Sequence, residues 1–350
     1  MTKRLHLLVV STVVLAAIGV AALVSGCVSP RRTGINNGAV GKLYVATASG
    51  ILRFGGALLA NGNASPEATF SGNQTQLSAP QRLFVDVTNN RLLVVNQGSG
   101  SILVFLSAST RSGNLSPDAV LSAPGNLFAP VDLTIDPTAG IDSLYVADGR
   151  NVLVFTGQST FSGAITPTPS RIINFGFPIG AIFLDVANDR LFVADSVNNA
   201  VVILPTAHLV TGSTIGLIGT ISGSNTLLQH PNGLALDSSG RLMVSNLAGP
   251  TITIYSSSGF PTIGTTTNLA PVASLAGSNT KLAGPGQLAF NSSTGRSGEL
   301  YVADSLAASV LTYLNPSAFT LNFNLTPSRQ INGSNTSLNT INGMALDPTR

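Results

Sequence analysis

The sequence predicts an all-β protein: six four-stranded blades closed into a ring, a six-bladed β-propeller. Three observations carry this. A motif recurs along the 350-residue chain at nearly constant spacing. Short β-branched and aromatic segments alternate with Gly, Asn, Asp and Pro, which is the pattern of strands and tight turns. The repeat is also cut out of phase at the two ends, so that the last element can complete the first blade.

The first element of the repeat is clearest as PNGLALD (231–237) and returns as PQRLFVD (80–86), PVDLTID (130–136), IGAIFLD (179–185), PGQLAFN (285–291) and INGMALD (341–347). Its closing Asp or Asn falls at 86, 136, 185, 237, 291 and 347, at intervals of 50, 49, 52, 54 and 56. Upstream, GSNT at 223, 277 and 333 and GNQT at 72 all place their Gly 14 residues before that Asp or Asn, a fixed register. The second element is KLYVAT (42–47), RLLVVN (91–96), SLYVAD (143–148), RLFVAD (190–195), RLMVSN (241–246) and ELYVAD (299–304). The third is ILRF (51–54), SILVF (101–105), NVLVF (151–155), AVVIL (200–204), TITIY (251–255) and SVLTYL (309–314). A weaker fourth fits 68–70, 119–121, 171–175, 218–222, 271–276 and 329–331. Four antiparallel strands in a unit of about 50 residues is a propeller blade.

The ring begins directly with a second element and ends just after a first one. The terminal segment is therefore expected to supply the innermost strand of the blade begun near Gly41, leaving no open sheet edge between first and last blades. Closure also places the two ends of the propeller side by side.

Ahead of the ring lies an export signal. Lys3 and Arg4 precede Leu7–Val24, which carry no charge, and Val24-Ser25-Gly26-Cys27 follows. A basic start, an apolar stretch and small residues before a cut are the layout of a signal peptide. The last four residues resemble the lipobox of bacterial lipoproteins, in which the Cys thiol takes a diacylglycerol and the freed amine a further acyl chain such as palmitate. Two or more chains anchor stably where one does not. Cys27 is the sole cysteine, so lipidation would consume the only thiol. The expected organisation is a lipoprotein signal peptide at 1–26, the lipidated Cys and a breaker-rich tether at 27–40, and the propeller at 41–350. The partner implied is a lipid bilayer reached through acylated Cys27, and the place is the cell envelope. With Val28 after the Cys, this resembles the outer-membrane destination of a Gram-negative lipoprotein, on the periplasmic or surface side.

Composition narrows the function. Without Lys3 and Arg4 the chain has 15 basic and 14 acidic residues, and lysine remains only at Lys42 and Lys281. A nucleic-acid binder needs a clustered basic face, and no such cluster is visible, so no nucleic-acid partner is expected. One Cys and three His, at His6, His208 and His230, argue against a disulfide scaffold, a multi-thiolate zinc site or a Ser-His-Asp triad. His208 and His230 read as loop residues. The five Tyr, all in strand elements, read as blade packing.

The repeat resembles the NHL-repeat family of six-bladed propellers, through PxGLALD…RLxVxD…NxxVxxF at 231–237, 190–204 and 299–314, over about 41–350. That resemblance implies the fold more than the function, because such propellers include lyases, lactonase relatives, RNA-binding modules and protein-interaction scaffolds. The recurring acids Asp86, Asp136, Asp148, Asp185, Asp195, Asp237, Asp304 and Asp347 are expected to cap the hairpins that follow their strands. Asn at 96, 246 and 291 serves a cap but not a general base. Arg91, Arg190 and Arg241 read as solvated strand ends.

Function in a propeller usually sits in the central channel. The residue four before each closing Asp or Asn is Arg82, Asp132, Ala181, Gly233, Gln287 or Gly343, with Gln81, Asn232 and Asn342 just before three of them. Asp132 is the only acid of that ring, too few for a calcium site, and Arg82 in the adjacent blade is placed to pair with it. No metal, cofactor or catalytic residue is expected. Arg82, Asp132, Gln287, Asn232 and Asn342 are the candidate ligand-binding set. The reading is an envelope-anchored, non-enzymatic module that binds an envelope protein or a small ligand. The alternative is a hydrolase or lyase of the lactonase or streptogramin-lyase kind, acting in the channel.

Overall fold

The structure is a computed structural model that describes residues 41–214, 216–292 and 298–350. The predicted signal peptide, Cys27 and tether lie outside the described residues. Among the described residues no helix is long and apolar enough to cross a membrane.

Six sheets form, one for each predicted blade, each built on four antiparallel strands. From the channel outward, blade 1 is Gly343–Asp347, Lys42–Thr47, Gly50–Gly55 and Ala68–Phe70, so the last strand of the chain completes the first blade. Its register sets Lys42 against Asp347 and Ala46 against Gly343, which puts both ends of the ring at one edge of this blade, as closure requires. Blade 2 is Pro80–Asp86, Arg91–Asn96, Ser101–Leu106 and Ala119–Ser122. Blade 3 is Pro130–Asp136, Ser143–Asp148, Asn151–Thr156 and Arg171–Asn174. Blade 4 is Ala181–Asp185, Arg190–Asp195, Ala200–Pro205 and Gly219–Ile221. Blade 5 is Pro231–Leu236, Leu242–Asn246, Thr251–Tyr255 and Ala273–Leu275. Blade 6 is Pro285–Asn291, Glu299–Asp304, Ser309–Leu314 and Arg329–Ile331.

Why the middle strands read as continuous apolar runs is clear from the packing. Each is buried on both faces, with alternate side chains committed to opposite neighbours. Leu43 and Val45 pack against blade 6, while Tyr44 and Ala46 pack against blade 2. Six apolar clusters result, one at each blade-to-blade interface. All five Tyr are buried there, and the Tyr255 and Tyr313 hydroxyls donate across the interface to the carbonyls of Thr226 and Thr280.

One feature departs from the expected four strands. The outermost strand of blades 2 to 5 gains a short fifth strand, parallel to it and supplied by the third-to-fourth connection of the following blade: Gly163–Ile165, Gly212–Ser213, Thr266–Thr267 and Asn322–Phe323. Blades 1 and 6 receive single parallel bridges from Gly113 and Gly62 in the same way. The outer edge of every blade is thus covered by its neighbour, which removes the exposed edge that invites aggregation.

The GSNT signature has its role at the same seams. Gly72, Gly223, Gly277 and Gly333 sit at φ of 108°, 122°, 104° and 109°, a region that disfavours a side chain. Each opens one 3₁₀ turn whose Thr hydroxyl donates to that Gly carbonyl at 2.6–2.7 Å. An Asn from the next blade then lies over the Gly, and its side-chain oxygen accepts a turn amide: Asn114 from Gln74, Asn268 from Asn225, Asn324 from Asn279 and Asn63 from Asn335, at 2.7–2.8 Å. The motif is an inter-blade latch.

Candidate functional site

All inner strands run the same way, so the ring has two different faces. One carries the connections entering the inner strands and the turns between second and third strands. The other carries the first-to-second turns, the long third-to-fourth connections and the point where the chain enters at Gly41.

The recurring acids belong to the scaffold. Asp86, Asp136, Asp237 and Asp347 accept the amides of Asn89, Thr138, Ser239 and Thr349 at 2.9–3.1 Å, and Asp195 accepts that of Asn198, as expected of hairpin caps. Asp304 caps its turn through Ala307 and also accepts from Ala283 and Gly284 in the preceding connection. Asp148 differs from expectation. It bonds only backward, to the Phe128 and Ala129 amides, so it fixes the entry to blade 3. Asp185 holds the side chains of Asn188 and Arg190.

The arginines also differ from the expectation of solvated strand ends. Arg91 is 3% exposed, pairs with Asp86 at 2.6 Å and reaches blade 3 through the Gln158 carbonyl and side chain. Arg241 pairs with Asp237 and donates to the Phe319 and Pro316 carbonyls of blade 6. Arg53 and Arg171 make the same forward reach to carbonyls of blades 2 and 4. Arg190 pairs with Asp185 and lies over the rings of Phe192 and Phe260. These cations are consumed as ties between blades. His208 and His230 lie in loops. His208 is half-buried and bonds Asp189 through Nδ1.

The channel holds a cavity of about 170 Å³. Its wall is built in levels. Around the first lie Arg82, Asp132, Gly233 and Gln287. Below them is an aliphatic collar to which every blade contributes one residue: Leu83, Leu133, Ile182, Leu234, Leu288 and Met344, all buried. Phe84, Thr134, Phe183, Ala289 and Ala345 continue the wall. Glycine at the first level is a matter of space. A Cβ on Gly233 would sit 2.1 Å from the Gly286 carbonyl oxygen, and one on Gly343 would sit 2.6 Å from that of Gln81.

Of the five candidate residues, Arg82, Asp132 and Gln287 line this cavity, while Asn232 and Asn342 are not among its lining. Gln287 ties three blades together: its amide donates to the Leu83 carbonyl at 2.9 Å and its oxygen accepts from the Met344 amide at 2.9 Å. Asn342 donates to the Pro80 carbonyl at 2.8 Å. Asn232 presents its carbonyl and side-chain oxygens to Nη2 of Arg82, the latter at 3.0 Å. The expected pairing of Arg82 with Asp132 is replaced by this contact across the channel. Asp132 is instead held by backbone, accepting the Leu133 and Ile182 amides at 2.9 Å each. Burial raises the Asp132 carboxyl to about 6, against the lowering pull of Arg82 and of those two amides. Burial likewise pulls the Arg82 guanidinium below its ordinary value, opposed by Asp132.

Arg82 is 6% exposed, and its Nη1 is buried with no partner. Sequence spacing placed Arg82 on the ring but did not show its unpaired nitrogen, which depends on where Asn232 and the Leu133 and Ile182 amides sit. Among the described residues no group of three or more His, Cys, Asp or Glu comes together in a way that could hold a metal ion.

No family model and no curated protein matches the chain. Solved structures do. A chain from a nidogen/laminin complex superposes with a TM-score of 0.59 at 14% identity, covering 88% of this chain and 98% of that one. A protein of unknown function from Bacteroides caccae superposes at 0.56 with 9% identity, covering 88% and 99%. Virginiamycin B lyase from Staphylococcus aureus superposes at 0.48 with 13% identity, covering 77% and 76%. The first two likenesses agree with the sheet topology: the chain folds as a six-bladed β-propeller.

Proposed function

We propose that the protein is an exported lipoprotein, held to the cell envelope through acylated Cys27, whose NHL-like propeller is a non-enzymatic module that binds a small ligand in its central channel. The observation that carries the ligand reading is Arg82: a buried cation with an unpartnered Nη1, lining a cavity of about 170 Å³. Buried polar groups are normally bonded, and an orphan at the wall of a cavity marks a place for a partner. The anchor reading rests on the sequence at 1–27.

The test is thermal denaturation of the detergent-solubilised full chain against organic acids, amino acids, sugars and nucleosides. A ligand that raises the midpoint in the native chain, and no longer does so in Ala289→Leu, supports channel binding. Midpoints unmoved by every class, or raised equally in the filled variant, would remove it. Elemental mass spectrometry on the same preparation addresses the alternative. About one calcium or zinc per chain would put a lactonase-like or lyase-like activity ahead.

A further inference from the structure

Resting on the reading of the channel as a ligand pocket, we propose that its occupant is a small monocarboxylate, with the carboxylate head on Nη1 of Arg82 and an apolar body in the aliphatic collar.

The head group follows from what Arg82 lacks. A guanidinium stays charged, and its five N–H groups suit a planar carboxylate. Here Nη2 spends itself on the two Asn232 oxygens, while Nη1 has nothing. Asp132 does not supply the missing anion: its two oxygens are turned to the Leu133 and Ile182 amides, and it makes no ion pair with Arg82. A carboxylate brought to Nη1 would satisfy a buried donor that has no partner in the fold. Among the described residues, Arg82 and Asp132 are the only charged ones lining the cavity. The fixed negative charge of Asp132 weighs against a second negative charge on the ligand, and so against phosphate and dicarboxylates.

The body follows from the wall. The six residues of the collar are aliphatic, and their side chains offer no hydrogen-bond partner to a heavily hydrated group. The volume is comparable to the ~150 Å³ cavity that accepts benzene, so the body is about the size of one ring or a short branched chain.

Access follows from the charge distribution. Among the described residues, the face carrying the connections into the inner strands and the second-to-third turns has no acidic residue between its strands, and Arg150 and Lys281 are exposed on it. Arg82 lies near that mouth, two residues into its inner strand from Pro80. Asp148, Asp195 and Asp304 stand at the strand ends of that face but are buried and bonded to its backbone amides, so among the described residues the exposed charges an arriving anion meets there are Arg150 and Lys281.

Isothermal titration of the detergent-solubilised full chain with benzoate, benzamide, phthalate and inorganic phosphate tests this. The expected order is benzoate tightest, with benzamide and phthalate weaker by roughly tenfold or more, since each lacks the match to a single charged donor. Arg82→Gln should lower benzoate binding to the level of benzamide. The four-ligand series on the native chain decides the question even if that variant does not fold. Equal binding of benzoate and benzamide, lost in Ala289→Leu, would overturn the carboxylate assignment and leave channel binding standing. Preference for phthalate or phosphate would overturn it too. No binding of benzoate would overturn it whatever the broader ligand screen finds.

Discussion

Arg82 and Asp132 line one cavity from adjacent blades, yet each is bound to something other than its neighbour: Arg82 to Asn232 across the channel, Asp132 to two backbone amides. Opposite charges at such a site would ordinarily be read as a pair. Held apart, they leave one donor unsatisfied and one carboxyl raised, and both have measurable consequences.

The first is a stability profile. In the unfolded chain Asp132 titrates near the ordinary carboxylate value, and in the fold at about 6. Its contribution is therefore fully present below about pH 4 and is lost as pH rises through about 6, on the order of 3 kcal/mol. Glu67, Asp86 and Asp237 act oppositely. Desolvation pushes each up, but bonds to Lys42 and Arg53, to Asn89 and Arg91, and to Ser239 and Arg241 hold each below its ordinary value. Their contributions are present above that value and fade in acid. Urea midpoints across pH 3–8 should rise, peak near pH 5 and decline toward neutrality. In Asp132→Asn the decline should vanish.

A contrast between two arginines is expected. Arg91→Ala leaves the 4%-exposed Asp86 charge unpaired and costs about 3 kcal/mol. Arg190→Ala removes a more exposed partner from Asp185 and costs about 1 kcal/mol. Denaturant midpoints of the two variants at neutral pH check the ranking, and equal losses would refute it.

At the latches, Asn268→Ala should cost about 1 kcal/mol by leaving the Asn225 amide without its acceptor. Asn268→Asp keeps an acceptor and should be nearly neutral. Gly223→Ala combines φ of 122° with a Cβ 2.6 Å from the Asn268 side chain, and should cost about 1–3 kcal/mol. Thermal melts of the three variants test whether the seam is built as described.

Ring closure is expected to be essential. Ending the chain at residue 342 removes Gly343–Asp347, the innermost strand of blade 1, and with it the Met344 wall of the cavity. Such a chain should lose its cooperative melt and expose apolar surface, read as dye binding. A sharp native-like transition would contradict the closure.

For the proposed anchor, Cys27→Ser should move the protein from the membrane to the soluble fraction and abolish incorporation of labelled palmitate. Retention in the membrane fraction would overturn the lipoprotein assignment.

The repeat spacing and the strand pattern determined the blades, their number and the closing strand by themselves. Each blade is a local unit whose alternating side chains must be buried on both faces, and the phase of the chain ends leaves one way to complete the ring. The positions of the hairpin-capping acids were legible for the same reason, since an Asp beside a turn finds its amides within a few residues. What reached between blades was not legible. The parallel fifth strands, the Asn that closes each GSNT turn and the forward reach of Arg53, Arg91, Arg171 and Arg241 join residues about 40 to 80 positions apart, and 272 apart where Asn63 of blade 1 closes the turn at Gly333. Arg82 also reaches far along the chain, to Asn232 at 150 residues' separation. Spacing put Arg82 and Asp132 on one ring. Only the tertiary structure decided that they face a shared cavity unpaired, because that depends on which carbonyls and amides the other blades bring to the channel.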